Sequence, residues 1–99
     1  MPEDPQLRRL LWYLIGGSRG GYNRARIILT LKERPLNLNK LAEQLGVNYK
    51  AAQHHIRVLE KNGLIVSSGE KYGLLYFLSP YLEANYNIFE EIWKRVGTK

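Results

Sequence analysis

Leu7, Leu10, Leu11 and Leu14 recur at helical spacing, with Trp12 and Ile15 widening the stripe, and so predict an amphipathic helix over residues 6–15. Gly16 and Gly17 follow as its stop. From about Tyr22 to Arg34, the positions Ala25, Ile28, Leu29 and Lys32 mark the turns of a second helix, which Pro35 ends. Leu38 to Leu45 predicts a short third helix with Asn37 or Asn39 as its cap and Gly46 as its stop. Asn48 opens a fourth, reaching to about Asn62, with Gly63 as its breaker.

The period then changes from helical to alternating. LIVSS (Leu64 to Ser68) and LLYFLS (Leu74 to Ser79) flank GEKYG, which predicts two short strands and a glycine-bounded turn. Ser79-Pro80 starts a last helix over residues 80–96, with Leu82, Tyr86, Phe89, Trp93 and Val96 along one side. The predicted class is mainly α with a small β-hairpin, an α+β arrangement in the order helix, helix, helix, helix, hairpin, helix. Residues 1–99 are expected to form one domain, since 99 residues leave no room for two and no linker interrupts them.

Residues 38–62 carry the most specific pattern. Leu41, Ala42 and Leu45 give the shorter helix a buried side, Gly46 permits a sharp turn, and Val47 plugs the corner. This is the helix-turn-helix arrangement, whose second helix is presented to the DNA major groove. Projected at about 100° per residue, Ala52, Ile56, Leu59 and His55 point inward. Lys50, Gln53, His54, Arg57 and Lys61 point outward, all with donor-bearing side chains, and Glu60 lies at the edge.

Charge placement sharpens the picture. The net charge is +6, and the stretches 1–18 and 58–99 are each balanced. Residues 19–57 hold Arg19, Arg24, Arg26, Lys32, Arg34, Lys40, Lys50 and Arg57 against only Glu33 and Glu43. So concentrated a basic region points to a polyanion, and a solvated face that keeps the protein soluble is the plain alternative.

LAEQLGVNYKAAQHHIRVLEKNGLI followed by a glycine-tipped hairpin resembles the winged helix-turn-helix of ArsR-type transcriptional regulators, and more closely their small archaeal members, which carry a GG-x-RGG start and an HH-(I/L)-x-VLEKNGLI run. The similarity covers about Gly16 to Pro80. It implies a recognition helix contacting double-stranded DNA through Asn48, Tyr49, Lys50, Gln53, His54 and Arg57, and a wing over residues 64–79 reaching the flanking backbone with Lys71 and Tyr72. Ala51 and Ala52 stand where many members have Thr-Val, and the cysteine-based metal-sensing motif is absent. The function expected is a sequence-specific regulator, a repressor in the first instance. A non-specific DNA-coating protein and a winged-helix protein-interaction module are the alternatives.

GGSRGG, residues 16–21, lacks the Gly-Lys-Ser/Thr ending of a nucleotide-gripping loop and follows a helix rather than a strand. Two readings stay open: an anion-favouring helix entrance where Arg19, Arg24 or Arg26 meets DNA phosphate, and a flexible corner that lets the end helix swing into a dimer. The end helices, 6–15 and 80–96, are rich in apolar residues. Leu7, Leu10, Leu11, Leu14, Leu82, Tyr86, Phe89 and Trp93 are therefore expected to form the seam of a two-fold homodimer.

Other chemistry finds little support. The chain has no cysteine, which excludes disulfides and thiolate metal sites. His54 and His55 are neighbours that diverge on a helix and lack a third ligand, so no metal or cofactor is expected; His55 is expected to hydrogen-bond nearby backbone. No nucleophile is paired with a base, which argues against an enzyme. The start, MPEDPQLRRL, does not fit a secretion signal and no apolar run nears the roughly 18 residues that span a bilayer, so a cytoplasmic location without membrane contact is expected. No residue pattern names a small-molecule effector.

Overall fold

The computed structural model describes residues 4–69 and 73–97. Helix α1 covers Pro5–Leu11. Its cap is Asp4, whose carboxylate accepts from the N–H groups of Gln6 at 3.0 Å and Leu7 at 3.2 Å. The helix continues as a π-helical turn over Trp12–Gly16, closed by a Gly17 N–H bond to the Trp12 carbonyl at 2.8 Å. The predicted first helix is therefore present, but its last turn is widened. The Leu14 carbonyl in that turn accepts instead from Ser18 Oγ at 3.1 Å and Arg24 Nε at 2.9 Å, the side-chain intrusion that such widened turns accommodate.

Helix α2, Gly21–Glu33, buries Ala25, Ile27, Ile28 and Leu31 and turns Lys32 outward, where it pairs with Glu83 at 3.1 Å. Helix α3, Leu38–Leu45, is capped by Asn37, whose side chain accepts from the Lys40 N–H at 2.8 Å. Gly46 ends it at φ 70°, in the left-handed region that favours glycine. Helix α4, Tyr49–Lys61, starts at Asn48, which accepts from the Ala51 N–H at 2.8 Å.

Strands β1, Ile65–Ser68, and β2, Leu75–Leu78, pair antiparallel with Ile65 opposite Leu78 and Ser68 opposite Leu75. The connection between α2 and α3 joins them, since Leu36 bridges to Tyr76 through a 2.9 Å bond from the Tyr76 N–H to the Leu36 carbonyl.

The single last helix expected over residues 80–96 is two. Helix α5, Pro80–Ala84, is capped by Ser79 Oγ, and helix α6 runs Tyr86–Gly97. Asn85 breaks the register: its N–H bonds the Leu82 carbonyl and its Nδ2 donates to the Tyr81 carbonyl at 2.9 Å. An asparagine side chain competes with the backbone in this way and favours helix ends over interiors.

One core joins all these elements. Among its fully enclosed side chains are Leu7, Leu11, Ile27, Ile28, Leu41, Ile56, Leu59, Leu64, Leu82, Phe89 and Ile92. This corrects the dimer-seam expectation. Leu7, Leu11, Leu14, Leu82 and Phe89 lie inside the chain's own core, because α1, the π turn and α6 pack on one another within one molecule. Leu10, Tyr86 and Trp93 are half-buried. The apolar surface at these ends is aromatic instead, with Tyr13 68% and Tyr22 63% exposed and the Tyr22 ring 6.1 Å from that of Trp93. No helix among the described residues is long and apolar enough to cross a membrane.

Candidate nucleic-acid interface

The amphipathic character of α4 places its chemistry. Ala52, Ile56 and Leu59 are at most 1% exposed, which fixes the opposite face toward solvent. On that face Lys50, His54, Arg57 and Lys61 are exposed and Gln53 is half-buried. Lys50, Arg57 and Lys61 make no ion pair among the described residues, and Glu60 sits half-buried at the edge. Tyr49 is exposed at the start of the helix, and Asn48 spends its side-chain oxygen on the cap. Beside them Asn37, Asn39, Gln53, Leu74 and Tyr76 line a cleft of about 270 Å³ between α3, α4 and the hairpin. Lys71 and Tyr72, expected at the wing tip, lie outside the described residues.

The arginines of the central segment separate into three fates. Arg19 is exposed and without a partner among the described residues. Arg24 is buried at 6% exposure, contrary to its expected role at a DNA phosphate. Its guanidinium donates to the Leu14 carbonyl and Ser18 Oγ and lies 3.3 Å from His55 Nδ1. Arg26 donates from both terminal nitrogens, at 3.0 Å, to the carbonyls of Leu45 and Gln44, and lies over the Tyr22 ring. It closes the C-terminal end of α3, a favourable place for a cation, so it too serves the fold rather than an open surface.

The glycines follow from Arg24. A Cβ on Gly20 would stand 2.5 Å from Arg24 Nη1 and 2.6 Å from His55 Cε1, and one on Gly21 would stand 1.9 Å from the Ile15 carbonyl oxygen. The segment is thus a packed joint and not the loose corner considered from the sequence. His55 faces inward as expected, but its partner is the Arg24 side chain and not backbone. Burial, then the Arg24 charge, then His54 hold the His55 imidazole below its ordinary value. Desolvation also lowers Arg24 from its ordinary value. No group of three or more His, Asp or Glu side chains suited to a metal ion occurs among the described residues.

The helix pair, the sharp Gly46 turn and the paired strands together form a helix-turn-helix followed by a wing. Residues 20–76 match the family model described as the N-terminal domain of methanogenesis regulatory protein FilR1. The chain belongs to that family. This FilR1-type domain is of the winged-helix transcription-regulator kind, and the family is one of regulators, not enzymes.

Solved structures agree on the fold. HlyU from Vibrio cholerae superposes with a TM-score of 0.68 at 18% identity, over 93% of this chain and 98% of that one. The transcriptional repressor BigR from Xylella fastidiosa gives 0.65 at 21% identity, over 86% and 84% of the two chains. ZitR from Lactococcus lactis gives 0.61 at 20%, over 77% of this chain. The FilR1-type chain spans about half, 52%, of the ZitR structure it matches. No curated protein sequence matches it significantly.

Sequence reasoning placed the outward face of α4 but left two exposed cations of the neighbouring elements, Arg34 and Lys40, without a role. The signal for them was the charge count of the central segment.

Proposed function

We propose that this FilR1-type domain is a double-stranded DNA-binding regulator of transcription, a site-specific repressor of ArsR-type build that acts as a homodimer in the cytoplasm. The observation that carries the reading is the outward face of α4, where Lys50, Arg57 and Lys61 stand exposed and unpaired among the described residues. Cations left without acids on a helix whose other side is locked in the core are suited to phosphates and base edges. In this reading α4 enters the major groove through Tyr49, Lys50, Gln53, His54 and Arg57, and Arg19 rests on the backbone at the entrance to α2. The hairpin reaches the flanking strand, and Lys71 and Tyr72, which fall between its two strands in sequence, are the contacts expected there.

The 99 residues act as one unit whose ends associate. With the leucines of α1 enclosed, the pairing surface is the aromatic one of Tyr13, Tyr22 and Trp93, helped by half-buried Leu10 and Tyr86. A two-fold dimer would set its two α4 helices on half-sites about 34–36 Å apart.

Titration of labelled random duplex at two salt concentrations tests the reading. A DNA binder loses affinity steeply as salt rises, because counterion release drives its association. Negligible binding at both concentrations removes the reading in favour of a protein-interaction module. Sequencing fragments selected from a random pool separates a site-specific repressor, which enriches one motif, from a non-specific coating protein, which enriches none.

A further inference from the structure

Eight basic residues lie between positions 19 and 57, and the fold or α4 already engages five of them. Arg24 and Arg26 are held by internal carbonyls and Lys32 by Glu83, while Lys50 and Arg57 belong to α4. Arg19 stands alone in the glycine segment. Arg34, just after α2, and Lys40, in the first turn of α3, remain. Both are exposed, and the side chain of neither makes a hydrogen bond or ion pair among the described residues.

These two cations share a surface. Arg34, Leu36, Lys40, Glu43 and Gln44 line an open cleft of about 590 Å³. Glu43 lies in the cleft without forming an ion pair with either cation. Residues 37–39, which lie between Leu36 and Lys40, line the second cleft together with Tyr49 and Gln53 of α4. The two clefts share no lining residue but adjoin along residues 36–40, where the first turn of α3 separates the α4 side from the Arg34 side.

The ledge beneath it is fixed. The Leu36 carbonyl is held by the Tyr76 N–H at 2.9 Å and the Asn37 side chain by the Lys40 N–H at 2.8 Å. Cations on an ordered ledge lose less conformational freedom on binding than cations on a loose linker. An open cleft that adjoins the one lined by α4 suits a polymer of phosphates better than a small anion, which needs enclosure.

We propose that Arg34 and Lys40 extend the DNA interface past α4 onto the flanking sugar–phosphate backbone, adding two phosphate contacts that the helix and wing do not supply. The inference rests on the DNA-binding reading above. Both contacts position the protein without reading sequence, so their loss weakens specific and random duplex alike.

The test is the salt dependence of duplex binding for wild type, Arg34→Gln, Lys40→Gln, the double variant, and Arg9→Gln on α1 as a charge-matched comparison, each checked by thermal melting for an intact fold. Each single variant should flatten the slope of log K against log salt by about 0.9, and the double by about 1.8. The ratio of wild-type to double-variant affinity should then fall about tenfold between about 50 and about 200 mM salt. Arg9→Gln should leave the slope in place. A steep wild-type slope that the double variant reproduces, or that Arg9→Gln flattens equally, overturns the inference. A flat wild-type slope overturns the DNA-binding reading itself.

Discussion

Arg24 Nη1 lies 3.3 Å from His55 Nδ1, so a buried cation rooted in α2 touches the inner edge of the helix that carries the candidate reading face. The facing groups are Arg24 from α2, His54 from α4 and Tyr13 from the π turn. At this distance the imidazole is neutral and accepts from the guanidinium, because a protonated ring would oppose a fixed positive charge. The contact links the glycine segment to α4.

The first prediction concerns pH. The folded His55 titrates below its ordinary value of 6.5, so on acidification the unfolded chain takes up this proton before the folded one. Its contribution is full above about 6.5 and is lost as pH falls from there through the folded value. Denaturant melts from pH 7.5 downward should show falling stability that His55→Phe largely removes. Arg24→Met takes away the second cause but leaves burial, so the His55 titration followed by NMR should move up part of the way toward 6.5. An unmoved titration would mean that the two side chains do not meet in solution.

Gly21→Ala forces a Cβ to within 1.9 Å of a backbone oxygen, which no side-chain rotation relieves. The expected loss is about 3 kcal/mol or more, the range of substitutions that break packing outright. Gly46→Ala meets nothing within 4 Å but must hold φ 70°, for about 1–2 kcal/mol. Gly73→Ala, also without a neighbour within 4 Å, should change stability by no more than about 0.5 kcal/mol. Urea melts of the three variants test this order.

Exposed Arg57 and Arg19 should behave differently on DNA. If Arg57 makes a bidentate base contact, Arg57→Ala costs about 1–3 kcal/mol on the preferred site and much less on random duplex. Arg19→Ala should weaken both to the same degree. Fluorescence anisotropy with the two duplexes side by side measures the difference, and equal losses for Arg57→Ala would argue against base reading.

Association and stability should respond to different residues. Leu7→Ala opens the core and should cost about 2–5 kcal/mol. Tyr13→Arg, at a site 68% exposed, should leave the melting temperature nearly unchanged while shifting the mass seen by light scattering toward the monomer. A monomer mass for wild type at micromolar concentration would remove the dimer from the proposal.

Most of the helix-turn-helix was legible because short-range chemistry decided it. Asn48 and Gly46 act at the ends they were expected to mark, Asn37 proved to be the cap that had been left open against Asn39, and the spacing of Ala52, Ile56 and Leu59 set the outward face of α4. The central arginines were not legible. Whether Arg24 faces a phosphate or a carbonyl depends on how α2 meets the widened turn at Leu14, a long-range fact that local pattern does not hold. The end leucines were misread for a related reason. Periodicity reports that a stripe is apolar but not which chain covers it, and here α1 and α6 cover each other. The break at Asn85 was locally signalled, by a residue whose side chain competes for backbone, and was overridden by the regular stripe on either side.

The Leu36–Tyr76 bridge has a consequence for association of another kind. With Leu36 on one flank and β1 on the other, β2 is an interior strand, and the open rim of this small sheet is β1. That rim is four residues long and ends in Ser67 and Ser68, which offers an incoming chain little to grip. A partner segment seeking to add itself to the wing would have to displace the α2–α3 connection or settle for a short polar margin, so the hairpin is shielded from unwanted strand exchange.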